Sequence, residues 1–232
     1  MDRRFPLAGA SAPAVVFTSM NGCAFCSMIL SASLVATSLR GENLDTVPQE
    51  EWGARILPIV ERMEEHTEGE ISSIVIHHTQ TPNQGGPFER TRLRGIQSYH
   101  VEERGWGDIA YHYLIGPSGR IYEGRDPVFR GDSGTKYDLD GRLLICLLGD
   151  FREILPTRAA LVTLVDFVVA KASEHDIGEE SITTHRRVAA TDCPGDALQE
   201  WLDEVGLVTI GTLLRKGAPE TQERESPSPS AG

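Results

Sequence analysis

The sequence has little positive charge. Its 232 residues include 22 Lys and Arg against 34 Asp and Glu, so the formal net charge is -12. Proteins that bind nucleic acid gain most of their affinity by neutralising phosphates, and electrostatic docking on anionic membranes needs clustered basic side chains. The sequence has no long run of Lys or Arg. We therefore expect neither nucleic acid nor an anionic membrane surface as a partner.

Cysteine is scarce as well. The chain contains four cysteines, Cys23, Cys26, Cys146 and Cys193, which are too few for a disulfide framework in a chain of this length. Cys23 and Cys26 form a CxxC pair, but they lie in a Ser- and Ala-rich stretch without the context that redox or metal chemistry would need. We interpret that pair as incidental and Cys146 as a small core residue.

The first forty residues lack the pattern of a folded segment. After two early arginines, residues 5–39 are uncharged, rich in Ala, Ser and Gly, and without a helical apolar period. A basic start followed by a mildly apolar stretch with small residues is typical of an export signal, and a disordered arm is the alternative. We predict that residues 1–40 direct the protein to the periplasm or the cell exterior; without a signal the protein would be cytoplasmic.

The C-terminal end has almost no apolar residues. Residues 216–232 are rich in Pro, Ser and Glu, so we predict that they are disordered. The folded domain is therefore expected at residues 46–214, a normal size for one domain. We expect this domain to be a monomer without a membrane span, since a span needs roughly 20 mostly apolar residues in a row.

Between these ends, the apolar pattern alternates between strand and helix. Short β-branched and apolar runs predict strands, and apolar residues spaced three to four apart predict helices. The predicted strands cover residues 71–78, 109–115, 120–123 and 143–148, and the predicted helices cover 90–104, 157–175 and 197–202. Strands interleaved with helices predict an α/β fold, a single domain with a central mixed β-sheet flanked by helices.

Most of the seven histidines need no function. We interpret His66 as part of a solvated acidic segment and His100 as a residue that packs or caps a helix. His175 ends the long predicted helix, where an imidazole interacts well with the helix dipole.

Four residues lie where chemistry could occur. His77 and His78 end a predicted buried strand, at the rim of the sheet where ligands commonly bind. His185 and Cys193 lie eight residues apart in a polar loop, and imidazole and thiolate are ligands that zinc prefers. Because successive strand residues point to opposite faces, the pattern does not choose between His77 and His78. Spacing alone supports a metal site and incidental residues equally.

Two tyrosines flank a histidine on the strand predicted at residues 109–115. Alternation places Tyr111 and Tyr113 on one face and His112 on the other. A tyrosine at a sheet rim either packs in the core or donates a hydrogen bond to a developing oxyanion.

Five stretches of the sequence together resemble a known family. They are EEWGA (50–54), VIHHT (75–79), GWGDIAYHYLIGPSGRIYEGR (105–125), LLGDF (147–151) and THRRVAATDCPG (184–195). In this order they closely resemble the family of peptidoglycan-recognition proteins and type 2 N-acetylmuramoyl-L-alanine amidases. The resemblance runs from about residue 47 to residue 205.

The resemblance implies a zinc enzyme that cuts peptidoglycan. The family's Zn²⁺ ligands fall on His77, His185 and Cys193, and the fourth position is left for water. The family's catalytic tyrosine falls on Tyr111, and a further hydrogen-bonding position falls on Thr191. The bond cut would join N-acetylmuramic acid to L-alanine, in peptidoglycan or soluble muropeptides.

The resemblance also implies a set of residues near the substrate. His78 becomes a neighbour of the ligands, hydrogen-bonded on the other side of its strand, and we group it with the substrate-binding residues. The pair Gly105 and Trp106 stands where relatives that bind diaminopimelate-type stem peptides carry Gly-Trp, so it joins this group. In contrast, FRGDSGTKYDLDGRLLICLL (129–148) departs from an AHxxGxN stretch that is frequent in the family, so part of the groove wall must differ.

Two alternatives remain open at this point. Some family members bind peptidoglycan without cutting it, and in those the cysteine ligand is typically replaced, whereas Cys193 is present here. A cytosolic amidase that recycles muropeptides is the other alternative, and it depends on whether residues 1–40 act as a signal.

Overall fold

The computed structural model describes residues 44–54, 58–67, 70–83 and 88–217. The predicted export segment and residues 218–232 of the predicted tail lie outside the described residues.

Six strands form one mixed β-sheet in the order β1-β4-β3-β5-β2-β6. The strands are β1 (Thr46–Val47), β2 (Ser73–His78), β3 (Tyr113–Ile115), β4 (Ile121–Glu123), β5 (Arg142–Leu147) and β6 (Ile182–Thr184). β3 and β4 form an antiparallel hairpin, and the other neighbouring strands pair in parallel. The long strands β2 and β5 are adjacent, and their nearly continuous apolar runs fit burial on both faces. The predicted mixed sheet is confirmed.

Helices cover both faces of this sheet. They are α1 (Gln49–Trp52), α2 (Phe88–Ser98), α3 (Arg158–Glu174), α4 (His185–Val188), α5 (Asp196–Trp201) and α6 (Leu207–Gly217). One core joins α3, α5 and α6 to the face that carries Ile74, Ile76 and Ile145. A second core joins α1 and α2 to the face that carries Leu114 and Cys146. Among the described helices, none is long and apolar enough to cross a membrane.

The C-terminal helical region is longer than the sequence analysis predicted. The short helix expected at residues 197–202 begins as α5, continues through a π-helical turn at Leu202–Gly206 and goes on as α6 to Gly217. Ile210 and Leu213 are buried, so tertiary packing extends the helix beyond the predicted end. α2 likewise ends in a π-helical turn, Tyr99–Glu103, inside the predicted helix 90–104.

The strand predicted at residues 109–115 is shorter, and the predicted shared face of its tyrosines is wrong. β3 begins at Tyr113, because the backbone before it bonds to loops instead: Ala110 O accepts from Asp132 N, and Tyr111 O accepts from Arg125 N. As a result, Tyr113 packs on Phe167 of α3, while Tyr111 packs on the opposite face of the sheet.

His66 is buried, which corrects its assignment to a solvated segment. The residue is 7% exposed, and its Nδ1 accepts a hydrogen bond from Gly141 N at 2.8 Å. His66 therefore fastens its acidic segment to the start of β5, a contact between residues 75 positions apart that local composition does not reveal.

Candidate metal centre and adjoining cleft

Three of the predicted site residues come together at one edge of the sheet. One donor atom each from His77, His185 and Cys193 lies within 4.8 Å of the other two, and all three side chains are buried. The Nδ1 of His77 is 3.6 Å from the Sγ of Cys193. Tetrahedral zinc, with bonds of about 2.0 Å to nitrogen and 2.3 Å to sulfur, separates these atoms by about 3.5 Å. The donor types and this spacing fit a zinc ion.

The sheet topology explains why these residues meet. His77 lies near the end of β2, and β6 pairs with β2 so that Thr184 lies opposite Ile76. His185 is the next residue and begins α4, which places it beside His77. The choice between His77 and His78 is also made by the sheet: Ile76 and His78 face the side of α3, and His77 faces the side of α2.

Close backbone packing holds the cysteine. Cys193 precedes α5, and Gly195 adopts a φ of +97° within this turn. A Cβ on Gly195 would lie 2.4 Å or less from the carbonyl group of Phe151, so only glycine lets the two segments approach this closely. The backbone N–H of His78 donates to Cys193 Sγ at 3.3 Å.

Burial sets the protonation states of the three side chains. It lowers the pKa of His77 well below 6.5, helped by the neighbouring His185, and it lowers the pKa of His185 to about 4. Both imidazoles are therefore neutral at neutral pH, which is the form that binds metals. Burial raises the pKa of the Cys193 thiol to about 12, and the His78 N–H opposes this shift. A bound cation would reverse the balance, because a thiol that coordinates zinc is deprotonated.

Two predicted polar residues stand beside this cluster. The rings of Tyr111 and His77 are 5.4 Å apart. Burial, reinforced by the thiols of Cys146 and Cys193, raises the pKa of Tyr111 well above 10, so its hydroxyl keeps its proton. Thr191 Oγ1 accepts a hydrogen bond from Cys193 N at 3.2 Å, which leaves the hydroxyl proton of Thr191 free to be donated elsewhere.

Two adjoining clefts open beside the cluster. The smaller, of about 240 Å³, is lined by His185, Cys193 and Thr191 among others. The larger, of about 480 Å³, runs along α2. Thr79 and Tyr111 line both clefts, so the groove along α2 adjoins the cleft beside the cluster at these two residues.

The remaining predicted substrate residues lie around this groove. His78 lines the smaller cleft, and its Nδ1 accepts from Phe151 N at 3.3 Å on the opposite side of the strand. Trp106 packs on His100 with the rings 4.7 Å apart, and His100 lines the larger cleft. Gly105 precedes Trp106 with a φ of +73°. As substrate contacts, these three residues stay predictions.

Three hydroxyl residues that were not predicted from the sequence face the cluster. Ser133, Thr135 and Tyr137 are partly buried, and Gly134, Lys136 and Asp138, each of which follows one of them, are exposed. The alternation of hydroxyl residues with polar or small ones was the available signal. This alternation covers residues 133–138, which lie in the stretch that departs from the family pattern and outside the five matched motifs.

A mixed sheet between helical layers, with a His-His-Cys cluster at its rim, defines an α/β domain with a candidate metal centre. The family model of N-acetylmuramoyl-L-alanine amidase matches residues 67–196, more than half of the chain. The protein belongs to this family.

Known proteins support the same assignment. The chain is 34% identical over 134 residues to the N-acetylmuramoyl-L-alanine amidase of Homo sapiens, covering 56% of this chain and 23% of that protein. It is 34% identical over 151 residues to peptidoglycan-recognition protein LB of Drosophila melanogaster, covering 64% of this chain and 63% of that one. The crystal structure of Drosophila peptidoglycan-recognition protein SD superposes with a TM-score of 0.63 at 29% identity, covering 69% of this chain and 94% of that one. The chain thus spans about a quarter of the human amidase and under two thirds of the LB protein.

Proposed function

We propose that the protein is a zinc-dependent amidase that hydrolyses the bond between N-acetylmuramic acid and L-alanine in peptidoglycan. The observation that carries this proposal is the buried cluster of His77, His185 and Cys193 at the end of an open groove. Zinc bound there would polarise the amide carbonyl and lower the pKa of a water molecule toward neutrality. His77, His185 and Cys193 would hold the ion beside the smaller cleft.

The chain's own contribution to the reaction is hydrogen bonding at the reacting carbonyl. Hydrolysis of an amide passes through a tetrahedral species whose carbonyl oxygen gains negative charge, and fixed donors stabilise that charge. Tyr111 has a protonated hydroxyl beside the cluster, and Thr191 has a hydroxyl proton that its bond to Cys193 does not use. We assign both residues to this donor role.

The groove along α2 would receive the peptidoglycan fragment. Its walls combine apolar and polar groups, including Phe88, Ile96, Thr91 and Arg92, which suits a glycopeptide with both kinds of surface. Gly105 and Trp106, by resemblance, favour a stem peptide that contains diaminopimelate. His100 lines the groove and its ring contacts Trp106, so the position of Trp106 would affect the shape of the groove at His100.

The competing function is recognition of peptidoglycan without cleavage. The similarity to relatives that are named peptidoglycan-recognition proteins supports this alternative. The complete set of three ligand residues in one cluster favours catalysis, because recognition alone requires no such set.

The test incubates the purified full-length chain with diaminopimelate-type muropeptides and follows the products by mass spectrometry. We expect release of a peptide that begins with L-alanine, loss of release with a chelator, and recovery on adding zinc. His185→Ala should abolish release, and His175→Ala, at the end of α3, should not. A zinc-loaded, folded protein that binds the muropeptide without releasing peptide would establish the recognition function instead.

We also propose that residues 1–40 act as an export signal, although they lie outside the described residues. N-terminal sequencing of the protein from the culture medium or periplasm should find a chain that begins near residue 40. An intact Met1 on protein that stays in the cytoplasm would favour the muropeptide-recycling alternative.

A further inference from the structure

The loop before β5 brings hydroxyl groups against both histidines of the cluster. Thr135 Oγ1 lies 2.6 Å from Nε2 of His185, and the Tyr137 hydroxyl lies 3.4 Å from Nε2 of His77. Ser133 Oγ lies 2.9 Å from Thr135 Oγ1 and accepts from Thr135 N at 3.1 Å. These three residues alternate with exposed ones along a bent loop, and their hydroxyl contacts show that all three side chains lie on the side of the site.

The contacts fix which ring nitrogen of each histidine faces the cluster. His77 directs Nδ1 toward Cys193, so its Nε2 points away from the sulfur and toward Tyr137. His185 has its Nε2 engaged at 2.6 Å by Thr135, which leaves Nδ1 for the cluster. A neutral imidazole that coordinates through Nδ1 carries its proton on Nε2, and that N–H needs an acceptor.

The loop is itself anchored at both ends. Near its start, Asp132 accepts a hydrogen bond from the buried Arg125, and Asp132 N donates to Ala110 O. Near its end, the guanidinium of Arg142 lies 5.7 Å from the centre of the Tyr137 ring. The hydroxyl groups are therefore presented from fixed backbone, which suits a role in holding other side chains in place.

We propose that Thr135 and Tyr137 are positioning residues for the metal centre: their hydroxyl oxygens accept the Nε2–H protons of His185 and His77 and hold both rings with Nδ1 toward Cys193. This inference rests on the proposed zinc function. Thr135 then donates its own hydroxyl proton to Ser133 Oγ, which also lies 3.4 Å from Nε2 of His185. In this protein, the stretch that departs from the family pattern supplies the outer hydrogen bonds of the ligands.

The experiment compares zinc affinity in three full-length variants by competition with a chromophoric chelator. Thr135→Val keeps the shape and removes the hydroxyl, so we expect affinity to fall roughly 10- to 100-fold, the usual effect of losing such a partner. Thr135→Ser keeps the hydroxyl and should stay within about threefold of wild type on the same argument. The matched control is Thr163→Val, which removes a hydroxyl that donates to Gly119 O at 2.9 Å and should leave zinc affinity unchanged.

A spectroscopic readout separates positioning from general stability. In the zinc-loaded wild type and in Thr135→Ser, the nitrogen NMR spectrum should show His185 protonated on Nε2 with a slowly exchanging proton. In Thr135→Val that proton should exchange rapidly, and Tyr137→Phe should have the corresponding effect on His77.

The outcomes distinguish this inference from the proposed function. Wild-type zinc affinity in Thr135→Val, or an equal loss in Thr135→Ser, would overturn the positioning role while leaving the zinc enzyme intact. A wild-type chain that binds no zinc would overturn both.

Discussion

The backbone N–H of His78 donates a hydrogen bond to Sγ of Cys193 at 3.3 Å, between residues 115 positions apart in the sequence. This contact ties the end of β2 to the turn before α5. A backbone N–H donor stabilises a thiolate acceptor, so the same contact favours the deprotonated form of the sulfur, which is the form that binds a cation. His78 thus serves the cluster through its backbone, while its ring packs on the opposite side of the strand against Phe151.

Replacing the cysteine tests its role as a ligand. In Cys193→Ser the hydroxyl can still accept from His78 N, so we expect the fold to persist, but an alcohol binds zinc far more weakly than a thiolate does. Zinc affinity should fall by at least about 100-fold, and release of L-alanine peptides should stop. Cys146→Ala is the matched control for zinc content, since Cys146 lies in β5 and outside the cluster. Full hydrolysis by Cys193→Ser would refute the proposed mechanism.

Removing the tyrosine hydroxyl tests its donor role. Tyr111→Phe should lower kcat by roughly 100- to 1,000-fold, the usual effect of losing one donor to an oxyanion. Zinc content should not change, because the hydroxyl is not among the three clustered donors. Steady-state kinetics on a muropeptide measures the effect.

Tyr113→Phe is the control for this prediction. Tyr113 packs on Phe167 with ring centres 4.8 Å apart, on the face of the sheet away from the cluster. Equal losses of kcat in the two variants would indicate a general structural effect and would argue against a donor role for Tyr111.

His112 should make the fold less stable in acid. Its Nδ1 accepts from Leu144 N at 2.8 Å, and its Nε2 lies 2.9 Å from Phe129 O, so the neutral form with a proton on Nε2 satisfies both partners. Burial lowers the pKa of His112 to about 3, whereas the unfolded chain titrates near 6.5. Between these values the unfolded state binds more protons, so this contribution is fully present above 6.5 and is lost as the pH falls toward 3.

Urea unfolding in the presence of chelator measures this effect. From about pH 7 to about pH 4.5, His112 should account for a loss of roughly 2–3 kcal/mol in the free energy of unfolding. Other buried histidines with lowered pKa values, including His78 and His100, act in the same direction, so a variant is needed to isolate one residue. His112→Asn should be less stable at neutral pH and should show a smaller loss in acid. An unchanged loss would contradict the assignment.

Arg125 should be one of the residues on which stability depends most. It is 2% exposed and donates to the carbonyl oxygens of Ile109, Asp108 and Arg130 as well as to the carboxylate of Asp132. A lysine cannot reach four acceptors in this planar arrangement, so buried acceptors are left unpaired. We expect Arg125→Lys to lower the free energy of unfolding by about 3 kcal/mol.

Chemical denaturation at neutral pH measures this loss, and Arg158→Lys is its control because Arg158 is an exposed residue at the start of α3. Since Arg125 joins the segment before Tyr111 to the loop that carries Thr135, zinc affinity should fall together with stability. A loss below about 1 kcal/mol would show that lysine replaces these contacts.

Much of the fold was predictable because its signals are local. The apolar runs of β2 and β5 and the regularly spaced apolar residues of α3 are visible in the sequence, and each element has bounds within a few residues of the prediction. The extension of the last helix through α6 was missed, since it depends on burial of Ile210 against distant elements. The bent path before β3 was missed for the same reason: its hydrogen bonds go to Asp132 and Arg125, which belong to other segments.

The sequence by itself determined the α/β class and, through five ordered motifs, the set of residues that could bind zinc. The tertiary structure decided that His77 faces Tyr111 while His78 faces Phe151, since this depends on how the sheet packs its two faces. It also decided that Thr135 stands 2.6 Å from His185, a contact between residues 50 positions apart. Spacing along the chain carries no information on such distances, because they arise only when β6 pairs with β2 and the loop before β5 folds over them.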